Sequence, residues 1–255
     1  MSAAAVSLWR EPPLSIEARR DEVHVWRASL SVSPSQLQRL SPILSTDERQ
    51  RAERFHFEKD RGEFIAGRAL LRTLLGRYLH REPSQLGFHY GASGKPRLAG
   101  EDSSLRFNLS HSLGVALYAF GRGRELGIDV EHIRSNADAE KIAGRFFSAQ
   151  EVAVFRSLPA RQREKAFFDC WTRKEAYIKA KGDGLKAPLD AFSVSLSPGQ
   201  PAALLNVQDD RAEVSRWSLR ELEPGPGYAG AIIAQGNDWQ LRCWEWSWQG
   251  QSAER

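Results

Sequence analysis

The sequence predicts an α+β protein, and two observations lead to this class. Segments in which apolar residues recur at helical spacing are separated by short runs typical of strands and turns. The stretches "SHSLGVALYAFG" (110–121) and "GPGYAGAIIAQG" (225–236) also resemble each other, and each follows a long helical segment and further strands. A duplication would divide the chain into two similar halves near residues 121–124, although two glycine-bounded strands can also look alike by chance.

The first half is predicted to begin with a strand and three helices and to end with strands. Ser45 and Glu48 have the spacing of a capping box, in which each side chain satisfies an amide of the first helical turn. From residue 59 to Tyr78, apolar residues recur at helical spacing. The predicted elements are a strand at 23–32, helices at 33–44, 45–57 and 59–79, and strands at 86–90, 105–112 and 114–121.

The second half is predicted to repeat this mixture of a long helix and short strands. The predicted elements are strands at 124–131, 192–196, 216–222, 228–235 and 240–248, and helices at 147–158 and 161–181. In the last strand Trp244, Trp246 and Trp248 share one face, because alternate residues of a strand point the same way. That face could stack nucleic-acid bases, but we expect it to pack beneath a helix.

The composition indicates a folded protein without a membrane span. Of 255 residues, 41% are hydrophobic and 27% charged, as in ordinary globular domains. The only cysteines, Cys170 and Cys243, have neither metal-site spacing nor the number for a disulfide framework. No segment has the pattern of a signal peptide or the length of a membrane span, so we expect a cytoplasmic protein. The excess of 36 basic over 32 acidic residues permits an anionic partner without requiring one.

The stretch "ELGIDVE" (125–131) places two carboxylates on one face of a predicted strand. Asp129 and Glu131 lie two residues apart, so both point away from the face that the apolar residues bury. Gly127 leaves space beside them. Two buried carboxylates repel each other unless a cation lies between them, so this pair is either a solvated acidic face or part of a cation site.

A second acidic candidate lies in "CWTRKEAYIKAKGDGL" (170–185). Trp171, Glu175 and Ile178 fall on one helical stripe, which would turn the glutamate toward the protein. Lys179 lies four residues after Glu175, so the two side chains could form an ordinary surface pair worth about 0.2 to 0.5 kcal/mol. A buried carboxylate requires a partner, however, and a cation shared with the strand carboxylates would provide one.

Three carboxylates without nearby Cys or His ligands favour a hard cation such as Mg²⁺. Because Mg²⁺ commonly keeps coordination positions for substrate phosphates, the three residues together predict phosphate chemistry. Candidates for phosphate binding lie in the first half, although each of them could instead be an ordinary surface or loop residue. These candidates are Arg51, Arg68, Lys95, Ser110 and His111.

Together these segments resemble the 4′-phosphopantetheinyl transferases of the surfactin-synthetase-activating type. The residues that carry the resemblance lie in order between about 45 and 195. They are the motifs "RQRAERF", "SGKP", "FNLSHS", "GIDVE", "FFSAQE" and "WTRKEAYIKAKGDGL". The resemblance implies a pseudo-dimer of two similar α+β halves, residues 1–122 and 123–255, with the cofactor bound between them.

The resemblance also implies roles for individual residues. Asp129, Glu131 and Glu175 would bind Mg²⁺, and Lys179 would contact the pyrophosphate of coenzyme A, with Lys174 as a further phosphate neighbour. The remaining residues of the implied phosphate pocket are Arg51, Arg68, Lys95, Ser110 and His111. The family often has a basic residue near position 63, where this chain has Glu63. Arg61 or Arg68 would then take over that contact.

Two glutamates are candidates for the base that accepts a proton in the reaction. Glu175 could act directly or through a metal-bound water, and Glu151 occupies a glutamate position of the family motif "FFSAQE". Glu151 also has a structural alternative, because Ser148 and Glu151 have capping-box spacing.

The implied activity is Mg²⁺-dependent transfer of 4′-phosphopantetheine from coenzyme A to a serine of an acyl or peptidyl carrier protein, with release of adenosine 3′,5′-bisphosphate. We expect a monomer with no nucleic-acid or membrane partner. One alternative is a Mg²⁺-dependent nucleotide phosphohydrolase that uses the same carboxylates with water as the nucleophile. The other is a basic nucleic-acid-binding module that uses the tryptophan strand.

Overall fold

The computed structural model describes residues 9–91, 94–100, 104–182, 188–208 and 210–248. Its first half contains β1 (Glu22–Ser29), α1 (Pro34–Leu40), α2 (Thr46–Glu53), α3 (Glu58–Leu79), β2 (Phe88–Tyr90), β3 (Pro96–Leu98), β4 (Leu105–Ser112) and β5 (Val115–Arg122). Its second half contains β6 (Leu126–His132), α4 (Ala139–Phe146), α5 (Ala149–Ser157), α6 (Ala160–Lys181), β7 (Phe192–Val194), β8 (Leu204–Val207), α7 (Arg211–Ser215), β9 (Trp217–Leu222) and β10 (Tyr228–Gln235), and β11 (Gln240–Glu245) follows.

The two halves share one topology, which confirms the predicted α+β class and its repeat. In the first half, β5 pairs antiparallel with both β1 and β4; in the second, β10 pairs antiparallel with both β6 and β9. A 22-residue helix, α3 or α6, follows the first strand of each half. The sequence echo between 110–121 and 225–236 therefore reflects two equivalent strands, β5 and β10. A boundary after residue 122 stays a prediction.

The last strand returns to the first sheet. β11 pairs in parallel with β1, which gives a four-stranded sheet of order β11-β1-β5-β4. On the other side of β11, Arg10 forms a bridge with Trp244. The last strand of the chain therefore completes the sheet of the first half.

The two sheets meet along β4 and β6, which side chains connect. Asn108 of β4 accepts a hydrogen bond from the Ile128 amide at 2.9 Å, and Ser112 accepts one from the His132 amide at 3.1 Å. An apolar cluster between the halves includes Val25 of β1 and other residues of β1, β5, β6, β10 and β11. Two further clusters lie under α3 and under α6. The halves are thus joined by a shared core.

Several predicted boundaries differ from the structure. The helix predicted at 33–44 is α1 followed by a 3₁₀ turn, the helix at 45–57 ends at Glu53, and the strand at 240–248 ends at Glu245. The sequence did not predict β3, α4, β8 or α7. Each of these has eight residues or fewer, so its local pattern is short. The described helices include none that is long and apolar enough to cross a membrane.

Candidate active site

The two carboxylates predicted on one strand face lie on β6. The residues that alternate with them are buried in the core between the halves: Leu126, Ile128 and Val130. Asp129 is buried and Glu131 is half-buried, and both meet side chains of β4. The predicted alternation of faces is therefore confirmed.

Two serines of β4 bind these carboxylates across the junction between the halves. Ser110 Oγ donates to Asp129 Oδ1 at 2.7 Å, and Ser112 Oγ donates to Glu131 Oε2 at 2.9 Å. The sequence prediction named Ser110 but missed Ser112. The signal was present, because the serines alternate with the same period of two as the carboxylates that they face.

Gly127 allows α6 to lie directly against β6. A Cβ atom built on Gly127 would lie 2.1 Å from the Ala176 carbonyl oxygen and 2.4 Å from the Ala180 nitrogen. The space beside the carboxylates that a glycine provides is thus filled by the helix backbone. This close approach brings Glu175 and Lys179 to the carboxylates of β6.

Lys179 binds a carboxylate of β6 rather than one on its own helix. Its Nζ donates to Asp129 Oδ1 at 2.7 Å and to Ser110 Oγ at 2.9 Å. The ion pairs of the described residues do not include the Glu175–Lys179 pair that helical spacing permits. The sequence placed Lys179 near phosphates, and the structure places it at the junction between the halves.

Glu175 is half-buried among other carboxylates. Burial raises the pKa of Glu175 to about 7, and the charges of Asp129 and Glu131 act in the same direction while Lys179 opposes them. Burial, followed by the Asp129 charge, also raises the pKa of Glu131. Asp129, Glu131 and Glu175, hereafter the acidic cluster, therefore influence one another electrostatically.

The acidic cluster has the donor chemistry of a hard-cation site. Asp129 Oδ2 is buried and has no hydrogen-bond partner among the described residues, a costly state for a carboxylate oxygen unless a cation reaches it. Carboxylate oxygens are the ligands that Mg²⁺ prefers. In the part of the chain that the structure describes, no three His, Cys, Asp or Glu side chains are grouped tightly enough to hold a metal ion. Metal binding would thus have to draw the three carboxylates together.

A cavity of about 330 Å³ opens beside Lys179 and is lined by residues of both halves. Its lining includes five residues of the predicted phosphate pocket: Arg51, Arg68, Lys95, His111 and Lys179. Phe64, Gly67 and Tyr118, which the sequence reasoning did not single out, also line it. Most of the predicted phosphate-binding residues are therefore gathered around one space.

The two cavity arginines are engaged very differently. Arg68 Nε donates to Glu48 Oε1 at 2.9 Å, and its Nη2 donates to the same oxygen and to the Tyr90 hydroxyl. Arg51 lies over the Phe64 ring at 5.4 Å, and within the described residues no carboxylate pairs with it. Arg51 thus has a guanidinium available to an anion, whereas Arg68 is largely used by the fold.

Lys95 joins the β2–β3 hairpin to the end of α6. Its Nζ donates to the Lys179 carbonyl at 2.6 Å and lies 3.7 Å from Glu125 Oε2. Burial lowers the pKa of Lys95 to about 8, although Glu125 opposes that change. Lys95 lines the cavity as the phosphate prediction requires, but its ammonium group is bound to the helix end.

His111 and Glu63 occupy the cavity wall near the turn between β4 and β5. Desolvation lowers the pKa of the His111 ring, while the Glu63 charge acts in the opposite direction. Glu63 pairs with Lys59 only at 3.9 Å. The acidic residue at the position where the family often has a basic one therefore faces the cavity itself.

Lys174 and Glu151 do not join the other predicted residues. Lys174 Nζ donates to both oxygens of Glu151, at 2.8 and 2.7 Å, and to the Phe192 carbonyl. Glu151 also accepts the amides of Ser148 and Val194, and neither member of the pair lines the cavity. Both are buried. The hydrogen bond from the Ser148 amide to Glu151 supports the capping-box alternative for Glu151. Lys174 points away from the acidic cluster because adjacent helical residues, such as Lys174 and Glu175, point about 100° apart.

The C-terminal tryptophans do not form an open stacking face. Trp244 packs on Trp26 at 5.1 Å between ring centres, and Trp246 is buried in the cluster under α3. The Trp248 indole donates to the Ser29 carbonyl. This packing agrees with the expectation of a covered face and removes the main feature that favoured nucleic-acid binding.

Two family models match the chain. The one described as the 4′-phosphopantetheinyl transferase superfamily matches residues 125–235, and the one described as 4′-phosphopantetheinyl transferase, N-terminal, matches residues 26–119. The matches thus fall on the second and first halves respectively, each containing one of the two long helices.

Individual relatives agree with these matches. The 4′-phosphopantetheinyl transferase HetI of Nostoc sp. is 43% identical over 240 residues, which cover 93% of this chain and 98% of that protein. Sfp of Bacillus subtilis, also a 4′-phosphopantetheinyl transferase, is 29% identical over 81% of this chain and 89% of its own length. The crystal structure of Thermotoga maritima holo-[acyl-carrier-protein] synthase is 23% identical and covers 44% of this chain and 63% of that chain, with a TM-score of 0.35.

The family models and the two curated relatives define an enzyme of the group-transfer class. The chain belongs to the 4′-phosphopantetheinyl transferase superfamily. The family and the enzyme class that the sequence motifs predict are therefore confirmed.

Proposed function

We propose that this transferase moves the 4′-phosphopantetheine group of coenzyme A to a serine hydroxyl of an apo acyl or peptidyl carrier protein. The reaction requires Mg²⁺ and releases adenosine 3′,5′-bisphosphate. The observation that carries this proposal is the acidic cluster, with Lys179 bound to it, beside a cavity that both halves line. Family membership supports the group transferred, and the cluster supports the metal dependence.

The cavity supports the binding of a phosphate-rich nucleotide. Among the described residues no carboxylate pairs with the Arg51 guanidinium, and Lys95 and Lys179 also line the cavity. These cations suit the phosphates of coenzyme A, since guanidinium and ammonium groups form charge-assisted hydrogen bonds with phosphate oxygens. Arg68 contributes less, because Glu48 already occupies it.

The acidic cluster would hold Mg²⁺ through Asp129, Glu131 and Glu175. Asp129 Oδ2, for which the described residues offer no hydrogen-bond partner, is the atom that most directly fits this role. When bound, the metal supplies positive charge that offsets the charge developing on the phosphate oxygens during transfer.

Lys179 and Glu175 have separate roles in this proposal. Lys179 Nζ, fixed by Asp129 and Ser110, donates to a phosphate oxygen and stabilises its growing charge without reorganisation. The attacking serine must lose a proton to a base within hydrogen-bond reach. Of the two glutamates considered, only Glu175 lies in the acidic cluster, whereas both Glu151 oxygens are occupied by Lys174 and amides. We therefore propose that a Glu175 oxygen accepts the proton that the attacking serine loses.

Both halves of one chain line the cavity, so a second copy is not needed to complete it. This supports the expectation of a monomer. We propose that the enzyme works in the cytoplasm, without a nucleic-acid or membrane partner, as expected from the sequence.

Mass spectrometry of apo carrier proteins tests the proposal. Incubation with coenzyme A and Mg²⁺ should add the mass of phosphopantetheine to the carrier, and EDTA or Asp129→Asn should abolish the gain. An unmodified carrier under all conditions would refute the proposal. Rapid hydrolysis of coenzyme A in the absence of a carrier would instead support the nucleotide phosphohydrolase.

A further inference from the structure

The turn between β4 and β5 has an unusual residue at its tip. Ser112 pairs with Val115, so only Leu113 and Gly114 form the connection, with φ values of 42° and 81°. A two-residue turn with both φ values positive is the type that favours Asn-Gly or Gly-Gly. A leucine is disfavoured there, because its Cβ approaches the following carbonyl oxygen in the left-handed region.

Leu113 is also one of the few large apolar residues that the described surface exposes. The residue is 59% exposed. Asn or Gly would relieve both the backbone strain and the exposure of apolar surface. Strain of this kind persists where the surrounding structure enforces it and often marks a functional position.

The turn is held rigidly beside the acidic cluster. Ser112 Oγ donates to Glu131 and accepts the His132 amide, and the Leu113 carbonyl accepts the Tyr228 hydroxyl at 2.9 Å. Three hydrogen bonds therefore fix the turn of the first half to strands of the second half. The leucine side chain is presented to solvent from a preorganised backbone.

The position of the turn indicates which of the two reactants, coenzyme A or the acceptor, would contact it. The cavity that suits coenzyme A extends along β4 as far as His111, but Leu113 does not line it. In phosphoryl transfer the attacking and leaving oxygens lie roughly in line, so the acceptor must approach from the side away from the nucleotide. Leu113 lies outside the cavity lining, and the preceding residue, Ser112, binds Glu131 of the acidic cluster.

We propose that Leu113 is a docking contact for the apo carrier protein, whose surface near the acceptor serine would cover this side chain. The inference rests on the proposed function, because it assumes a protein acceptor. It assigns the strained turn to recognition of the carrier and leaves binding of coenzyme A to the cavity.

Leu113→Asn and Leu113→Gly test the proposal, since both residues tolerate the backbone conformation. We expect the KM for the carrier to rise by about fivefold or more, while kcat and the KM for coenzyme A stay unchanged. Relief of strain should also raise Tm by about 2 °C or more. Leu205→Asn is the matched control: this leucine is also exposed, but it lies on β8, which contributes no residue to the cavity.

The KM for the carrier, read together with kcat, the KM for coenzyme A and Tm, separates the outcomes. A higher Tm with an unchanged KM for the carrier would overturn the docking role and leave Leu113 as an ordinary strained turn residue. A change confined to kcat or to the KM for coenzyme A would overturn it as well. A wild-type enzyme that modifies no carrier would refute the proposed function itself, a result distinct from the failure of these variants alone.

Discussion

At the scale of single residues, the site depends on how one lysine and three carboxylates share their contacts. Lys179 and Ser110 both bind Asp129 Oδ1, while Oδ2 has no hydrogen-bond partner within the described part of the chain. Burial, supported by the like charges of Asp129 and Glu131, raises the pKa of Glu175 to about 7. The arrangement therefore carries unbalanced negative charge that a cation and a lysine can offset together.

Lys179→Met should slow transfer by about 100-fold or more, because it removes a fixed donor to the charge that develops on phosphate. Initial rates of carrier modification measure the effect. Lys165→Met is the control: Lys165 lies on the same helix but pairs with Asp169 and Glu221, away from the cavity. An unaltered rate for Lys179→Met would exclude Lys179 from the chemistry.

Glu151→Gln and Lys174→Met should each destabilise the fold, because each leaves its buried partner without a counter-charge. We expect a loss of about 3 to 5 kcal/mol from either change, and a smaller loss in the double variant than the sum of the two. Urea unfolding measures these values. If folded Glu151→Gln kept its stability but transferred the group about 100-fold more slowly, Glu151 would be the base after all.

At the scale of elements, the contact of α6 with β6 determines the site. Gly127 removes the side chain that would separate them, so Glu175 and Lys179 reach β6 from one helix. The β2–β3 hairpin also contributes to the cavity, because its Lys95 binds the carbonyl of Lys179. The two long helices could be predicted from periodicity. The short elements β3, α4, β8 and α7 could not, because each has eight residues or fewer and so gives only a brief local pattern.

Gly127→Ala should lower both stability and activity, because its Cβ would overlap the backbone of α6. Overpacking typically costs about 1 to 3 kcal/mol, and the atoms that the added Cβ would meet are helix backbone, which leaves little room for relaxation. Gly144→Ala is the matched control, since nothing lies within 4 Å of its added Cβ in α4. There, alanine should stabilise by up to about 1 kcal/mol. Thermal unfolding of both variants tests this, and equal Tm values would contradict it.

The link made by Lys95 should be visible in the pH dependence of stability. The folded protein loses the Lys95 proton near pH 8, while an unfolded lysine keeps it to about 10.5. The unfolded state thus binds more protons between these values, so this lysine makes the free energy of unfolding rise with pH there. Lys95→Met should remove that rise, so the difference in the free energy of unfolding between wild type and variant, measured by urea titrations, should grow with pH between about 8 and 10.5. Parallel pH profiles would contradict the altered pKa.

At the scale of the whole molecule, two similar halves are held together by a shared core and a returning strand. Val25, Leu117 and Ile232 belong to the apolar cluster between the halves, and β11, near the end of the chain, extends the sheet of the first half. Because the cavity contains residues from both halves, the relative position of the halves sets the distance between its cations and the acidic cluster.

Ile232→Ala should destabilise the whole protein rather than one half. Ile232 is fully buried between the halves, and such a truncation costs about 2 to 5 kcal/mol. Calorimetry should show one cooperative transition at a lower Tm. Leu14→Ala, at a fully exposed position, should stay within about 0.5 kcal/mol of wild type. Two separate transitions would show that the halves unfold independently.

The sequence by itself determined the mixed fold, its two long helices, the strand face of Asp129 and Glu131, and the family. These features are local, because they depend on residue spacing and on motifs within single elements. Only the tertiary structure decided which charged residues meet: Lys174 is committed to Glu151, whereas Lys179 joins the acidic cluster. Charged side chains take the partners that folding brings within hydrogen-bond distance, and residues far apart in the chain supply those partners.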